Sequence, residues 1–503
     1  MVKLEDIADL GLLQAPPKTD PKEENPVLER APSNYKSLDT FALPKVRQYQ
    51  QQFADIYFLR LTKIKPAVEK IAHEAWEETV LGGEQAKKVE RVLDVRQGEL
   101  CWVAGTVYMD MPLKPSILED VSKDRWISAP TSVDHYYSED DRDQVMLEDD
   151  SGRIRLVGEP LKNYFLVTGC IIAVMGTENA NGEFEVIDLK FADLPPQPPR
   201  WSLSDNKKAI SEDVSMIDAN APSKKIAIVS GLEFSGSSTA YSAQLKVLKE
   251  FLACEALDLS HQSNEISKIS RLIVAGNSIA EPISSDPHSN NPSSKTHTKK
   301  YGYDASSYNP VPSQLLDSFL NELLPTLPVT ILPGVNDPSN VSYPQQPIHS
   351  AMFPRSRLYG PSPTHPDEPG WLDATTNPFE SEIEGWRVLG TSGQNLDDIC
   401  KYMENPDRLG LMEAMCRWRC SAPTAPDTLW SYPFQDDEPF VMKECPHLYF
   451  VGSQPEFGTK VIEGPDGQMV RLILVPKFSA TKEVVLVDTE TLEVSRVRIG
   501  AKS

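Results

Sequence analysis

Few side chains in this sequence are placed to do chemistry, and their spacing says what that chemistry could be. A loop carrying Gly231, Gly236, Ser237 and Ser238 lies between a strand-like run, KKIAIVS, and a helix-like run, STAYSAQLKVLKEFLAC, which is where a phosphate cradle would sit. It lacks the lysine with which a nucleotide-binding loop reaches the outer phosphates, so nucleotide binding is not expected. His349 and His447 stand in strand or motif contexts, but neither has an obvious Ser or Cys partner, so no activated nucleophile is read from them. His447 opens the run HLYF and reads as a packed residue. The seven cysteines (101, 170, 254, 400, 416, 420 and 445) are odd in number and scattered, with no CxxC pair, which fits reduced thiols better than zinc or redox chemistry. Cys416 and Cys420, in CRWRC, read as packing residues one helical turn apart. Four loops each follow an apolar run: VSGLEF, VAGNSIA, LPGVNDPSN and FVGSQPEFG. Loops just past the carboxyl ends of strands carry the chemistry of open α/β folds, and Glu233 and Asp337 are among the carboxylates these loops offer.

Such loops need a layered scaffold, and the apolar runs predict one. From 224 to 503, β-branched runs alternate with amphipathic helices, which implies an α/β domain with a largely internal sheet; antiparallel strands complete it, and a Ser-, His- and Asn-rich insertion at 281–309 is expected to be disordered. Between 92 and 194 the signal is short strands with turns at Asp150-Ser151-Gly152 and Asn181-Gly182, which suggests an OB-type barrel of five antiparallel strands. Residues 41–91 read as a helical segment, with Val46, Tyr49, Phe53, Ile56, Tyr57 and Leu61 forming one apolar stripe and Pro66 expected to break or kink it. Residues 1–40 read as a flexible arm, and 195–223, opening on PPQPPR, as a linker. The fold class is therefore mixed α+β and α/β.

The charge balance limits the partners. Fifty Lys and Arg stand against 73 Asp and Glu, a formal net charge of -23, with no basic run to override it. A polyanion is repelled by such a surface, so any work at DNA is expected to be indirect. No apolar stretch approaches the roughly 20 residues needed to cross a bilayer, so no membrane is expected.

In order and strand context the four loops resemble those of the calcineurin-like metallophosphoesterases, whose Asp, Asn and His ligands hold two metals. Placed on that pattern, Gly231 and Glu233 stand for Asp and His in the first loop, and Asn277 and Ala280 for the two Asp of the second. In the third, Val335 and Asn336 replace Asn and His while Asp337 survives, and in the last Ser453 and Pro455 replace both His. The resemblance thus implies a phosphoesterase-like domain without catalytic residues, metal or cofactor. The segments IYFLRL, MPLKPSILEDV, PQQPIHSAMFP, VLGTSGQNLDDI and CPHLYFVGSQPEFGTK resemble the small accessory (B) subunits of replicative DNA polymerases, the delta type above all, from about Phe41 to the C-terminus. That implies a nuclear, non-enzymatic scaffold in DNA replication and repair synthesis. Its expected partners are the Cys-rich C-terminal domain of the catalytic subunit and a third, clamp-binding subunit. The B subunits of polymerases alpha and epsilon, and a residual metallophosphoesterase, are the alternatives. Tyr343, Phe353, Trp371, Trp386 and Phe457, near the loops, are the candidate interface aromatics.

Overall fold

The computed structural model describes residues 30–47, 54–115, 134–139, 142–200, 224–255, 262–280, 309–362 and 369–500. Its first element, β1 (Tyr35–Leu38), falls inside the segment read as an arm. Four residues are too few to show a period of two, so nothing local announces this strand. Residues 1–29 of the arm, 201–223 of the linker and 281–308 of the insertion lie outside the described residues.

Helix α1 (Ala54–Trp76) buries Ile56, Arg60, Ile64, Val68, Ala72 and Trp76, one residue per turn. This line differs from the stripe read in the sequence. Val46 is exposed and precedes the helix, Tyr49 and Phe53 lie outside the described residues, and Tyr57 and Leu61 flank the buried line. Pro66 does not break the helix either. It lies on the exposed face, as does Thr62, whose carbonyl loses its partner to the proline and can turn to water instead.

After a two-rung hairpin, β2 (Val80–Leu81) and β3 (Glu84–Gln85), comes β4 (Lys87–Lys88), which lies parallel to the start of β5 (Cys101–Asp110). Strands β5, β6 (Gln144–Glu148), β7 (Arg153–Val157), β8 (Ile171–Glu178) and β9 (Glu183–Lys190) close into a barrel in the order β5-β6-β7-β9-β8, with β8 returning to β5. Four pairings are antiparallel as expected, but β7 and β9 run parallel, which is how strands on either side of the closure meet. The run YFLVTG carries no strand, and β8 starts only at Ile171. Val103, Val107, Leu147, Leu156, Ile172, Val174 and Phe184 fill the barrel; Trp102, Ala104, Ile171 and Ala173 alternate to the other face and pack on α1.

The second part holds two six-stranded sheets. One runs β13-β12-β11-β10-β19-β20, built from β10 (Lys225–Val229), β11 (Ile269–Ala275), β12 (Val329–Leu332), β13 (Leu372–Ala374), β19 (Glu483–Asp488) and β20 (Val494–Arg498). The other runs β1-β14-β15-β16-β18-β17, from β14 (Phe379–Ile383), β15 (Trp386–Thr391), β16 (Leu448–Gln454), β17 (Gly458–Glu463) and β18 (Met469–Pro476). Alternation explains the layers. On β11, Ile273 and Ala275 face the other sheet while Leu272 and Val274 face α2 (Thr239–Leu252), α3 (Gln262–Ser267) and α4 (Val311–Leu323). On β16, Leu448 and Phe450 face the first sheet, whereas Tyr449 and Val451 meet α5 (Gln394–Cys400) and α6 (Arg408–Arg417). Cys416 closes α6, but Cys420 lies beyond the helix end, after the left-handed turn at Arg419, rather than one helical turn on.

Several polar contacts join barrel and helix to the sheets. Arg60 pairs with Glu438 at 3.1 Å, Lys114 with Asp427 at 2.7 Å, and the Tyr136 hydroxyl donates to Asp398 at 2.8 Å. The start of the expected linker is likewise pinned: the Arg200 guanidinium lies 4.2 Å from the Trp386 ring and donates to the Thr489 carbonyl at 2.9 Å.

Candidate functional site

Parallel strands β10, β11 and β12 end side by side, and β15 and β16 of the facing sheet end above them. The loops read in the sequence are therefore brought together. The Gly231 N–H donates to the Gly276 carbonyl at 3.0 Å and the Glu233 N–H to the Asn277 carbonyl at 3.1 Å, which zips the first loop to the second. From the opposite sheet, the Ser453 N–H donates to Ser230 Oγ at 2.8 Å, and Asn277 Nδ2 donates to Ser453 Oγ at 2.8 Å. The Asn336 N–H reaches Asn277 Oδ1 at 3.4 Å. Gly276 is required here: its φ is 77°, and a Cβ would lie 2.3 Å from that of Ser392. Glu233, Asn277 and Ser453 also hold positive φ, at 47°, 51° and 57°, so three loops keep strained backbone at one place.

Asp337 is the centre of the third loop. Its carboxylate accepts from the backbone N–H of Gly334 at 2.8 Å, Ile279 at 2.8 Å and Ser278 at 3.2 Å. Burial pushes its pKa up to about 6, against the opposing pull of those backbone donors. The carboxylate thus ties its own loop to the second one. Beyond it, Asn377 Nδ2 donates to Ser392 Oγ at 2.6 Å, Gln345 Nε2 to the Gly334 carbonyl at 3.0 Å, and Gln394 Nε2 to Gln345 Oε1 at 2.7 Å. These amides extend a buried polar network that no motif announced; its only sequence signal is amide and hydroxyl residues next to strand ends.

The nine positions carried over from the phosphoesterase pattern do lie together. Gly231, Asn277, Asp337 and Ser453 are buried, Glu233, Ala280 and Asn336 half-buried, and Val335 and Pro455 exposed at the rim. A two-metal centre does not fit them. Such a centre needs several carboxylates and imidazoles around each ion. Here Asp337 is committed to three N–H groups, and the Asn277 amide donates to Ser453. The charge of Glu233 acts on Tyr241 and Lys482, on the outer side. Among the described residues no three His, Cys, Asp or Glu side chains are grouped to hold a metal.

The candidate interface aromatics separate into two sets. Tyr343 and Phe353, only 1% and 2% exposed, are core residues, Tyr343 stacking on Phe440 at 5.4 Å; as they stand in the fold they offer no docking surface. Trp386 is half-buried against Arg200 and His447, Phe457 lies 5.3 Å from Arg496, and Trp371 is 48% exposed. His447 is packed, as its place in the sequence suggests: burial lowers its pKa, and its Nδ1 accepts from the Arg387 N–H at 3.1 Å.

Comparison with known proteins adds two matches, one over the barrel and one over much of the two large sheets. Residues 52–189 match the DNA polymerase delta subunit OB-fold domain, and residues 226–459 match the DNA polymerase alpha/epsilon B subunit. The DNA polymerase delta small subunit of Saccharomyces cerevisiae is 34% identical over 90% of this chain and 91% of its own length. That of Arabidopsis thaliana is 35% identical over 92% and 95%, and DNA polymerase delta subunit 2 of Drosophila melanogaster is 31% identical over 94% and 98%.

Proposed function

The chain belongs to the family of DNA polymerase delta small subunits, and we propose that within it this protein works as a non-catalytic scaffold in the nucleus. It bridges the C-terminal domain of the catalytic subunit and a third, clamp-binding subunit during replication and repair synthesis, and DNA meets it only through them. The observation that carries this reading is the state of the loop cluster. Strand ends of two sheets converge on one cluster of loops, and the side chains at the positions matched to phosphoesterase ligands bond to backbone and to each other, which supports reading the domain as a phosphoesterase-like fold without its chemistry. A domain of this size without chemistry serves by its surface, and the buried ties between barrel and sheets give that surface one rigid frame. The delta relatives favour this family over the alpha and epsilon B subunits.

Co-expression with the catalytic subunit's C-terminal domain, and separately with the third subunit, followed by size-exclusion chromatography, tests the reading. Co-elution with both is expected. A folded chain that elutes alone against both overturns it. Metal analysis showing two ions per chain, with phosphodiester hydrolysis abolished by Asp337→Ala, would restore the hydrolase alternative.

A further inference from the structure

Residues 30–43 precede the barrel in sequence but lie on the sheets beyond it. Arg30 donates to the carbonyls of Leu252 at 2.7 Å and Ile269 at 2.8 Å, at one end of the β13-to-β20 sheet's helical layer. The Arg271 guanidinium lies 3.8 Å from the Tyr35 ring, and the Tyr35 hydroxyl donates to Asp373 on β13. On the other sheet, Tyr35–Leu38 pairs antiparallel with Phe379–Ile383, flanked by a reciprocal pair in which the Asn34 N–H donates to Glu384 Oε1 at 2.8 Å and the Glu384 N–H to the Asn34 carbonyl at 2.9 Å. Further on, Phe41 is buried at 6.3 Å from Phe440, and the Leu43 N–H donates to Gln346 Oε1 at 3.0 Å. One extended segment thus pairs with β14 at the edge of one sheet and reaches β13 at the edge of the other through Tyr35.

Lys36 lies opposite Glu382 on β14, while the edge carboxylates Glu380 and Glu384 pair with Arg387 and Lys224 of the sheets themselves, so main-chain pairing and Tyr35 rather than net charge hold the segment. We propose that this edge is a binding site for an extended segment with a buried aromatic hydroxyl, filled in cis by residues 30–43, which remain bound to it as a separate peptide when the chain is cut behind them. Strand addition of this kind takes its affinity from main-chain hydrogen bonds and its specificity from alternate side chains. It also moves the sheet's edge from β14 to a strand of only four residues, and a short edge strand is a weaker template for unwanted pairing.

The test uses the full chain with a specific protease sequence inserted after Val46, which is 79% exposed. After cutting, native size-exclusion chromatography with mass spectrometry should find the N-terminal fragment eluting with the rest. Once the fragment is removed at high salt, a labelled synthetic peptide of residues 30–43 should rebind, and the same peptide carrying Tyr35→Ala should bind at least about tenfold more weakly, for loss of a bond to a carboxylate and a ring-cation contact. If the fragment leaves spontaneously while the remainder keeps its circular dichroism and melting temperature, the proposal falls. It falls equally if the remainder aggregates and no peptide rescues it, because the segment is then an inseparable part of the core.

Discussion

Arg60 and Glu438 stand 378 positions apart in sequence and meet at 3.1 Å with neither side chain exposed to solvent. The guanidinium also donates to the carbonyls of Pro423 at 2.5 Å and Ala425 at 2.8 Å. Helix α1 is thereby fastened to the sheet domain by a buried ion pair with further hydrogen bonds to backbone. Removing one partner strands the other, so Arg60→Met or Glu438→Leu is expected to cost roughly 3–5 kcal/mol in urea unfolding. The double variant Arg60→Met, Glu438→Leu should recover part of that loss, though not all, since the carbonyls stay without a donor. Additive losses in this cycle would show that the pair does not act as a unit.

Asp337 gives a pH signature. Its pKa is raised from 3.8 to about 6 in the fold, so between those values the native state binds more protons than the unfolded chain, and its contribution to stability falls as pH rises. Below about pH 4 that contribution is complete, and above about pH 6 it is lost. The melting temperature of the native protein minus that of Asp337→Asn should therefore decline between pH 4 and 6.5 and then level off. A difference that grows with pH would mean that the backbone donors outweigh burial.

Two glycines with similar backbone should respond differently to alanine. Gly276 and Gly467 have φ of 77° and 81°, but a Cβ on Gly276 meets Ser392 at 2.3 Å whereas one on Gly467 meets nothing within 4 Å. Gly467→Ala is expected to cost only the conformational penalty, roughly 1 kcal/mol, and Gly276→Ala an additional 1–3 kcal/mol of overpacking. Equal shifts in denaturation midpoint would contradict the close packing of the loop cluster.

Single-stranded DNA should bind poorly to the isolated chain. On the outer side of the barrel, Lys114 and Arg153 already stand 4.1 and 4.2 Å from the Tyr108 ring, and Lys114 is neutralised by Asp427. At this place the aromatic ring and the cations that could stack on a base or pair with a phosphate, the usual means of barrel domains, are already engaged with each other. Fluorescence anisotropy at physiological salt should show no binding at micromolar protein, and Tyr108→Ala should change nothing. Micromolar, steeply salt-dependent binding would refute this.

Much of the layout was legible because strands buried on both faces read as unbroken apolar runs. IAIV and LIVA could be placed in an internal sheet, and residues at their ends placed in one cluster, without knowing any contact. The unreadable features are those decided by distant partners. β1 is a strand only because Phe379–Ile383 lies open beside it, and Arg60 interrupts an apolar line that local pattern alone cannot distinguish from an exposed arginine. Tyr343 and Phe353 were equally ambiguous, since an aromatic beside a loop can point either way until the chain is packed.

The pairing of Asn34 with Glu384 spans 350 residues, and this has a bearing on how the protein is made. On a ribosome, the segment around Tyr35 emerges before the barrel strands, yet its partner strand is delivered only after the whole barrel has been translated. Contacts of such sequence separation form late, whereas the barrel strands all lie between Cys101 and Lys190 and can assemble once that stretch has appeared. The nascent chain must therefore carry its first strand unpaired past the completion of an entire domain.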